Sequence, residues 1–375
     1  MSHLIKKSFQ RKGNYWLAAA SEALGPVLRA WAETRAGAPS APESWRKGLL
    51  LGAGHIGDVL YRTGSLPDLA RAFPQCRWFF AAPWPAREVL GGNPFLAGVV
   101  PLRDELSRLP WRELVDLIRA EEPDVVIGYD GGSYWRHLLA ACAAGVPNRV
   151  GFSHKGFSSL LTRPIQMRFP TPYAWSFRDL VSQLTDRALG HDGRPQVFPA
   201  PGDEEAAAAL FHRLGLEEKT PIVVCSMFSR RPYEAYAAEH YLQSLRLARH
   251  RRRFHAVFVG AAEEREALCE VVKGCGVEYS VIAGELGLRA LYCFLRRCSA
   301  AFTMDSGVRH LANAAAIPVI FARSRNVQEV EAGPYCRTEE DVAPPGGSIP
   351  RRALTPAVLS FDHARAAERL VSVLG

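Results

Sequence analysis

The sequence alternates short apolar runs with amphipathic segments, and it does so twice. In the first half the runs are GLLLGAG, RWFFAA, AGVVPL, PDVVIGYD and RVGF; in the second they are PIVVCSMF, FHAVFVG, YSVIAG, AAFTMD and IPVIFA. Continuous apolar runs are typical of strands that are buried on both faces, and strands that alternate with helices form parallel sheets. The pattern therefore predicts an α/β protein with two Rossmann-like parallel-sheet domains.

Four regions follow from this pattern. A helical appendage is predicted over residues 1–47, a first Rossmann-like domain over 48–195, a second over 196–350, and a C-terminal helix over 351–375. The proline-rich stretch 153–200 is expected to hold a lid loop, one helix and the linker. Two Rossmann-like domains in tandem are expected to face a cleft in which the ligands bind.

Composition narrows the class of protein. No apolar run approaches the ~20 residues that span a bilayer, and the N-terminus lacks a signal peptide, so a cytoplasmic protein is expected. The eight cysteines form no C-x-x-C pair, which predicts reduced thiols and no metal site. A formal net charge of +8 favours anionic partners, but no RNA-binding signature or zinc finger occurs, so nucleic acid is not expected.

The appendage allows two interpretations. The stretch LAAASEALGPVLRAWAETR has apolar residues at helical spacing, which is typical of a helix packed on the body of a protein. Lysines, arginines, a tyrosine and a tryptophan just upstream favour instead a helix that lies on the inner face of the cytoplasmic membrane.

The segment LLLGAGHIGDVL (49–60) has the G-x-G-x-x-G spacing of a dinucleotide site. Such a site needs an acidic residue at the end of the second strand, and none occurs between Asp68 and Glu88. Two interpretations remain. The glycines form a tight structural turn and Asp58 caps the next helix, or Asp58 is a general base that accepts a proton from a hydroxyl.

The segment FTMDSGVRHLANAAAIPVIF (302–321) predicts a strand, a turn and a helix. The first-turn amides near Gly307 and the hydroxyl of Ser306 can bind phosphate oxygens, and His310 can add a hydrogen bond or a positive charge. In the structural alternative, Asp305 is an N-cap and His310 a surface residue.

Two adjacent arginines, Arg230 and Arg231, follow the first strand of the second domain. A guanidinium there can bind a diphosphate with two parallel hydrogen bonds, although neighbouring arginines on a loop are often simply exposed.

In this order the segments resemble glycosyltransferase family 9, the ADP-heptose:lipopolysaccharide heptosyltransferases and their relatives. GHIGDVL is similar to the family's S-x-x-G-D-V/I loop, so the resemblance implies that Asp58 is the catalytic base and that Gly57 lies beside the acceptor. AGVPNRVGF is similar to the family's A-G-x-x-x-R-h-G-F segment, which makes Arg149 an expected contact of an anionic acceptor.

The block DSGVRHLANAAAIP is similar to the family's most distinctive motif, D-[ST]-G-x-x-H-h-A-x-A-x-x-x-P. The resemblance therefore implies that Asp305, Ser306, Gly307 and His310 bind the donor. Two features depart from the family. The segment SRRPYEAYAAEHY lacks the usual lysine and tryptophan, so that Arg230 or Arg231 is expected to substitute, and Arg323 stands where the family's F-G-x-T loop has glycine.

The resemblance implies a GT-B fold, with the acceptor in the first domain and the donor in the second. It implies inverting, metal-independent transfer of a hexose or heptose from a nucleotide sugar to a surface glycolipid or glycan, without a cofactor. Two alternatives stay open: an inactive protein of this fold that binds a nucleotide sugar or glycan, and an NAD-dependent oxidoreductase.

Overall fold

A computed structural model describes residues 12–52, 54–128, 134–168, 172–190, 192–217, 219–228, 236–324, 332–344 and 360–375. The chain divides into two compact units, residues 1–171 with 175–193 and residues 172–174 with 194–375. The division lies close to the predicted boundary between residues 195 and 196. The predicted N-terminal appendage belongs to the first unit, and the C-terminal helix belongs to the second.

The first unit contains a parallel sheet whose strands lie in the order β3-β2-β1-β4-β5-β6. Its strands are β1 (Lys47–Leu51), β2 (Arg77–Pro83), β3 (Gly98–Leu102), β4 (Val125–Gly128), β5 (Asn148–Phe152) and β6 (Arg163–Ile165). Its helices are α1 (Lys12–Ala23), α2 (Gly25–Ala36), α3 (Ile56–Thr63), α4 (Leu66–Ala72), α5 (Trp111–Glu121), α6 (Tyr134–Ala143) and α7 (Tyr173–Thr185). This is the strand order of a Rossmann sheet.

The second unit contains a parallel sheet in the order β12-β11-β10-β7-β8-β9. Its strands are β7 (Ile222–Ser226), β8 (His255–Phe258), β9 (Glu278–Val281), β10 (Ala300–Met304), β11 (Val319–Ala322) and β12 (Glu339–Asp341). Its helices are α8 (Pro201–Arg213), α9 (Ala238–Arg249), α10 (Arg265–Val272), α11 (Leu288–Leu295), α12 (Gly307–Ala314) and α13 (His363–Val373). Numbered within its own unit, each sheet has the order 3-2-1-4-5-6, which confirms the predicted α/β class with two Rossmann-like sheets.

The elements differ from the sequence pattern in several places. The single helix expected over DVLYRTGSLPDLARAF is two helices, because the chain turns at Gly64 and Ser65, and Pro67 lies in the first turn of α4. The strands β6 and β12 were not expected. Each has three residues at a sheet edge, and β6 contains a proline that only an edge strand tolerates.

The described part of the appendage packs on the first unit. Ala32 lies in an apolar cluster with Leu138, Phe157 and Leu160, and the Phe157 amide donates to the Ser21 hydroxyl at 2.8 Å. For the described residues from Leu17 to Ala36 the structure agrees with the packed-helix interpretation. No helix in the described part of the chain combines the length and apolar character needed to cross a membrane.

Candidate active site

Both sheets reverse their strand order between two central neighbours, β1 and β4 in the first unit and β7 and β10 in the second. Ligands of doubly wound α/β sheets bind beyond the carboxyl ends of the strands at this reversal. Asp58 follows β1 and Asp305 follows β10, so each predicted loop lies at the reversal of its own sheet. Arg230 and Arg231 follow β7 but lie outside the described residues.

The glycines after β1 make room for the protein's own side chains. A Cβ atom at Gly52 would lie 2.2 Å from Nη1 of the buried Arg62, and one at Gly54 would lie 2.4 Å from Cγ of Glu105. Both distances are far below van der Waals contact. Side chains of this chain therefore account for the first two glycines of the G-x-G-x-x-G spacing, without a pyrophosphate.

Asp58 is the third residue of α3 and is half-buried. The hydroxyl of Tyr61 donates to its Oδ1 atom at 3.1 Å. The N-cap of α3 is His55, three residues earlier, so the N-cap role considered for Asp58 is wrong. Gly57 precedes Asp58 in the same first turn, where the helix dipole favours negative charge. A carboxylate in this position can accept a proton from a hydroxyl that binds at the carboxyl edge of the sheet.

Arg149 is not brought to Asp58. It is the second residue of β5, and the strand register places it level with Leu49, upstream of the carboxyl end of β1 and two strands away. Its Nε atom donates to the Leu160 carbonyl at 2.6 Å and its Nη1 atom to the Val146 carbonyl at 2.6 Å. Burial lowers the pKa of this guanidinium below its usual value.

A buried arginine organises the loop after β10. The Arg309 guanidinium donates from Nη1 to Asp305 Oδ1 at 2.8 Å and from Nε to Glu339 Oε1 at 2.6 Å, and it lies 3.6 Å from the centre of the Phe321 ring. Burial alone would lower the pKa of Arg309, but the two carboxylates raise it above its usual value. Asp305 is thus the counter-ion of a buried cation.

Ser306 is the N-cap of α12, with extended backbone, and Gly307 is the first helical residue. The N-cap role considered for Asp305 is therefore wrong, because it belongs to the next residue. The Ser306 and Thr303 hydroxyl oxygens lie 3.2 Å apart. The first-turn amides of a helix have no acceptor within the helix, so this turn can bind the oxygens of a phosphate.

His310 is half-buried on α12, and its Nδ1 atom lies 2.6 Å from the Tyr335 hydroxyl. Burial, and after it the Arg309 charge, lowers the pKa of His310 to about 4. Burial also raises the pKa of Tyr335, so the phenol keeps its proton, and the tautomer of the ring decides which of the two groups donates. Of the two roles considered for His310, the hydrogen bond remains and the positive charge does not, because the ring is neutral near pH 7.

For three residues of this network the sequence predicted no role: Asn313, Tyr335 and Glu339. The Glu339 side chain is fully buried, and it accepts hydrogen bonds from Asn313 Nδ2 at 2.7 Å and from the Tyr335 amide at 2.7 Å. Burial alone would raise the pKa of Glu339, but Arg309 and these donors lower it. An arginine on the buried face of α12 predicts that its charge is neutralised by a carboxylate in addition to Asp305. The sequence near α12 does not indicate that this carboxylate is Glu339.

Arg323, at the position where the family has glycine, is part of a buried ion pair. Arg323 Nε donates to Asp341 Oδ2 at 2.8 Å, and the Arg323 carbonyl accepts from the Tyr236 hydroxyl at 2.8 Å. Burial raises the pKa of Asp341, and the neighbouring guanidinium and amides offset this only in part. The departure from the F-G-x-T loop is thus accommodated by a partner on the neighbouring strand β12.

Two Rossmann-like sheets, each with a loop of this kind at its reversal, define the class of GT-B-type proteins. The model of glycosyltransferase family 9 (heptosyltransferase) matches residues 111–335, more than half of the chain. The chain belongs to this family, as its motifs predicted. A comparison with curated protein sequences gave no match.

Three solved structures illustrate the fold. A glycosyl transferase family 9 protein from Veillonella parvula DSM 2008 superposes with a TM-score of 0.75 and 18% identity, over 88% of this chain and 97% of that one. The ADP-heptose LPS heptosyltransferase II of E. coli gives 0.64 and 19%, over 88% and 98%. E. coli heptosyltransferase WaaC with ADP-2-deoxy-2-fluoro heptose gives 0.57 and 17%, over 87% and 99%.

Proposed function

We propose that this chain transfers a sugar from a nucleoside-diphosphate sugar to a hydroxyl of a surface glycolipid or glycan, with inversion at the anomeric carbon and without a metal ion or cofactor. Family membership supports transfer from a nucleotide sugar. The observation that carries the proposed mechanism is the half-buried Asp58 carboxylate in the first turn after β1.

On the acceptor side, Asp58 takes the proton of the attacking hydroxyl. The hydroxyl oxygen forms the new glycosidic bond as the bond between the anomeric carbon and the diphosphate breaks. One such displacement inverts the anomeric carbon, and the proton ends on the carboxylate. A positioned general base contributes about 10²- to 10⁴-fold to such a step.

On the donor side, the departing diphosphate gains negative charge, which the loop after β10 is suited to bind. The amides near Ser306 and Gly307 and, in its Nε2–H tautomer, the ring of His310 are neutral donors, each able to contribute a few kcal/mol when it points at developing charge. Arg230 or Arg231 is the proposed source of positive charge, in place of the family's lysine. Asp305 acts indirectly, because it orients this loop through Arg309.

ADP-heptose is the first donor to test, because the E. coli proteins of this fold are described as heptosyltransferases and one as an ADP-heptose enzyme. We propose that the enzyme works in the cytoplasm, on an acceptor at the inner face of the cytoplasmic membrane. Leu24 and Val27 on the outer side of the appendage are 55% and 66% exposed, which suits contact with a lipid surface.

Thermal unfolding of the full chain with ADP, UDP, GDP and their sugars tests the donor class, because a ligand that binds the native state raises the melting temperature. The donor with the largest shift is then used to compare Asp58→Ala with Asp116→Ala, a change at an exposed carboxylate on α5. We expect transfer or donor hydrolysis to be lost only in Asp58→Ala.

A nucleotide-sugar-binding protein without turnover is the second candidate, favoured by the buried Arg323–Asp341 pair at an altered family position. It would bind a donor in this screen yet neither transfer nor hydrolyse it, and Asp58→Ala would behave as the wild type. Stabilisation by NAD(H) but by no nucleoside diphosphate would contradict both candidates.

A further inference from the structure

Trp84 is the most exposed tryptophan in the described part of the chain. It directly follows β2, and 64% of the residue is exposed, whereas Trp45 and Trp78 in the same unit are fully buried. Since the strands of this sheet are parallel, Trp84 lies at their carboxyl edge, the edge at which α3 carries Asp58. Tryptophan is largely buried in most folded proteins, so an exposed one at this edge indicates a contact surface.

The residues on both sides of Trp84 contact the part of the chain that carries Asp58. A Cβ atom at Gly54 would lie 3.2 Å from Cγ of Pro83, the residue before Trp84. The short 3₁₀ helix Ala86–Leu90, which begins two residues after Trp84, packs against α3. The tryptophan therefore lies next to the segment that runs from Gly54 to Asp58.

The backbone at Trp84 is held by buried neighbours. Pro83 and Ala86 are buried on its two sides, as is Val89 in the short helix. The Arg87 guanidinium lies over the Trp84 ring, 5.7 Å from its centre, and this cation–π contact orients the ring. A ligand that stacks on Trp84 meets a surface that is already ordered, which limits the entropy lost on binding.

Polar side chains lie at the same edge. His55 is exposed just before α3, and its Nδ1 atom lies 3.8 Å from Oε1 of Glu105, on the segment after β3. Binding sites for small molecules combine apolar, often aromatic, surface with a few polar groups that fix orientation. A pyranose ring matches this combination, because it has C–H bonds on one face and hydroxyl groups around its rim.

We propose that Trp84 stacks on a pyranose ring of the acceptor glycan. The aromatic ring covers the C–H face of the sugar, and His55 and Glu105 bind its hydroxyl groups. The inference rests on the proposed function, because it assigns Trp84 to the acceptor whose hydroxyl Asp58 deprotonates. It adds a binding residue that lies outside the motifs of the family resemblance.

Calorimetric titration of the full chain with a soluble glycan tests this contact without a donor. The probe is lipopolysaccharide from cells that make no ADP-heptose, with its acyl chains removed, because its sugar chain ends where a heptose would be added. Trp84→Leu keeps an apolar side chain but loses the aromatic face, and we expect it to weaken binding about tenfold. Trp84→Phe keeps an aromatic face and should bind within about threefold of the wild type.

The matched control is Tyr279→Leu, the same kind of change at a tyrosine that is 39% exposed on β9 of the second unit. It should bind the glycan as the wild type does. Far-ultraviolet circular dichroism checks that each variant is folded, which we expect because both side chains are exposed.

Transfer assays with ADP-heptose and the same glycan separate this contact from the reaction at Asp58. Trp84→Leu should raise the KM of the glycan about tenfold and keep kcat within about twofold. Asp58→Ala should bind the glycan as the wild type does and transfer no heptose. Transfer by Asp58→Ala at the wild-type rate would contradict the proposed base, whereas a tenfold loss of glycan binding in Trp84→Leu would still support the stacking contact.

Four results would overturn the proposal for Trp84. They are no binding of the glycan to the wild type, wild-type binding in Trp84→Leu, equal losses in Trp84→Leu and Trp84→Phe, and an equal loss in Tyr279→Leu. Co-sedimentation with phosphatidylglycerol vesicles tests a lipid contact instead. If Trp84→Ala reduces binding to the vesicles but not to the glycan, the ring contacts lipid and the proposal is wrong.

Discussion

Two aspartates follow strands at the reversals of two sheets that have the same strand order, yet their carboxylates have different neighbours. Asp58 accepts a hydrogen bond from the neutral hydroxyl of Tyr61. Asp305 accepts one from the buried guanidinium of Arg309, which Glu339 binds from its other side. A guanidinium partner stabilises the ionised carboxylate and makes it a poor proton acceptor, so Asp305 is suited to a structural role in this network. Topology thus gives the two aspartates equivalent positions, and the Arg309–Glu339 network distinguishes Asp305; the chemical role of Asp58 is a proposal that the following variants test.

The largest effect is expected at Asp58. Asp58→Asn keeps the size of the side chain but removes the proton acceptor, so the transfer kcat should fall about 10²- to 10⁴-fold with little change in melting temperature. Steady-state kinetics with the donor found in the thermal screen measures this. Asp116→Asn, at an exposed position on α5, should keep the wild-type kcat. Comparable kcat values in the wild type, Asp58→Asn and Asp116→Asn would show that Asp58 is not the catalytic base.

The second largest effect is expected on the free energy of unfolding, at Glu339 in the network around Arg309 and Asp305. Glu339→Ala leaves the buried Arg309 with one carboxylate fewer, and breaking a buried ion pair costs about 3–5 kcal/mol of unfolding free energy. Its neighbour Glu340 pairs with Arg369 at the surface, so Glu340→Ala should cost at most about 1 kcal/mol. Urea unfolding midpoints of the two variants measure the contrast, and equal midpoints would contradict it.

A pH dependence is expected at His310. Its pKa is about 4 in the folded protein and near 6.5 when unfolded, so between these values the unfolded state binds more protons. Stability from this residue is therefore complete above pH 6.5 and is lost as the pH falls toward 4. In His310→Gln the loss between pH 7 and 4.5, followed by urea unfolding, should be smaller than in the wild type.

The control for this prediction is His212→Gln, at an exposed histidine on α8. It should follow the wild-type pH profile. If His310→Gln loses as much stability in acid as His212→Gln does, the neutral state assigned to His310 is wrong.

The smallest effect is expected at Tyr61. Tyr61→Phe removes the hydroxyl that donates to Asp58 and leaves the ring in place. A single hydrogen bond contributes about 0.5–1.5 kcal/mol, so kcat should change about two- to tenfold while the donor KM stays the same. Steady-state kinetics of this variant measure the effect. A loss of kcat as large as that of Asp58→Asn would contradict this estimate and would show that the Tyr61 hydroxyl takes part in proton transfer.

Local patterns predicted the central strands, because each is a continuous apolar run that only a sheet covered on both faces can bury. They did not predict β6 and β12, which have three residues each and no apolar run, and which become strands only by pairing with a neighbour. The helices α6 and α8 were also missed. The single helix expected after Asp58 proved to be two, since the apolar spacing continues across a turn that contains glycine, serine and proline.

The candidate site, like the fold, could be predicted from the sequence only in part. Asp58 and the Asp305–Ser306–Gly307 turn could be found in the sequence, since a turn after a strand needs particular residues at fixed spacing. The roles of their neighbours could not. Asn313 and Tyr335 entered the site only through hydrogen bonds made in the folded chain. The motif that includes Arg149 was recognised, but its register in β5 placed it on another part of the unit.

The sequence by itself determined the class of fold, the family and the two loops that follow β1 and β10, because these depend on periodicity and on residues that are close together in the chain. Only the tertiary structure decided which charges pair. Glu339 and Asp341 lie 30 and 18 residues from the arginines that they neutralise. The physical reason is that a buried charge is costly unless an opposite charge lies beside it. The fold supplies that partner from a distant part of the chain, so the local sequence does not indicate which residue it is.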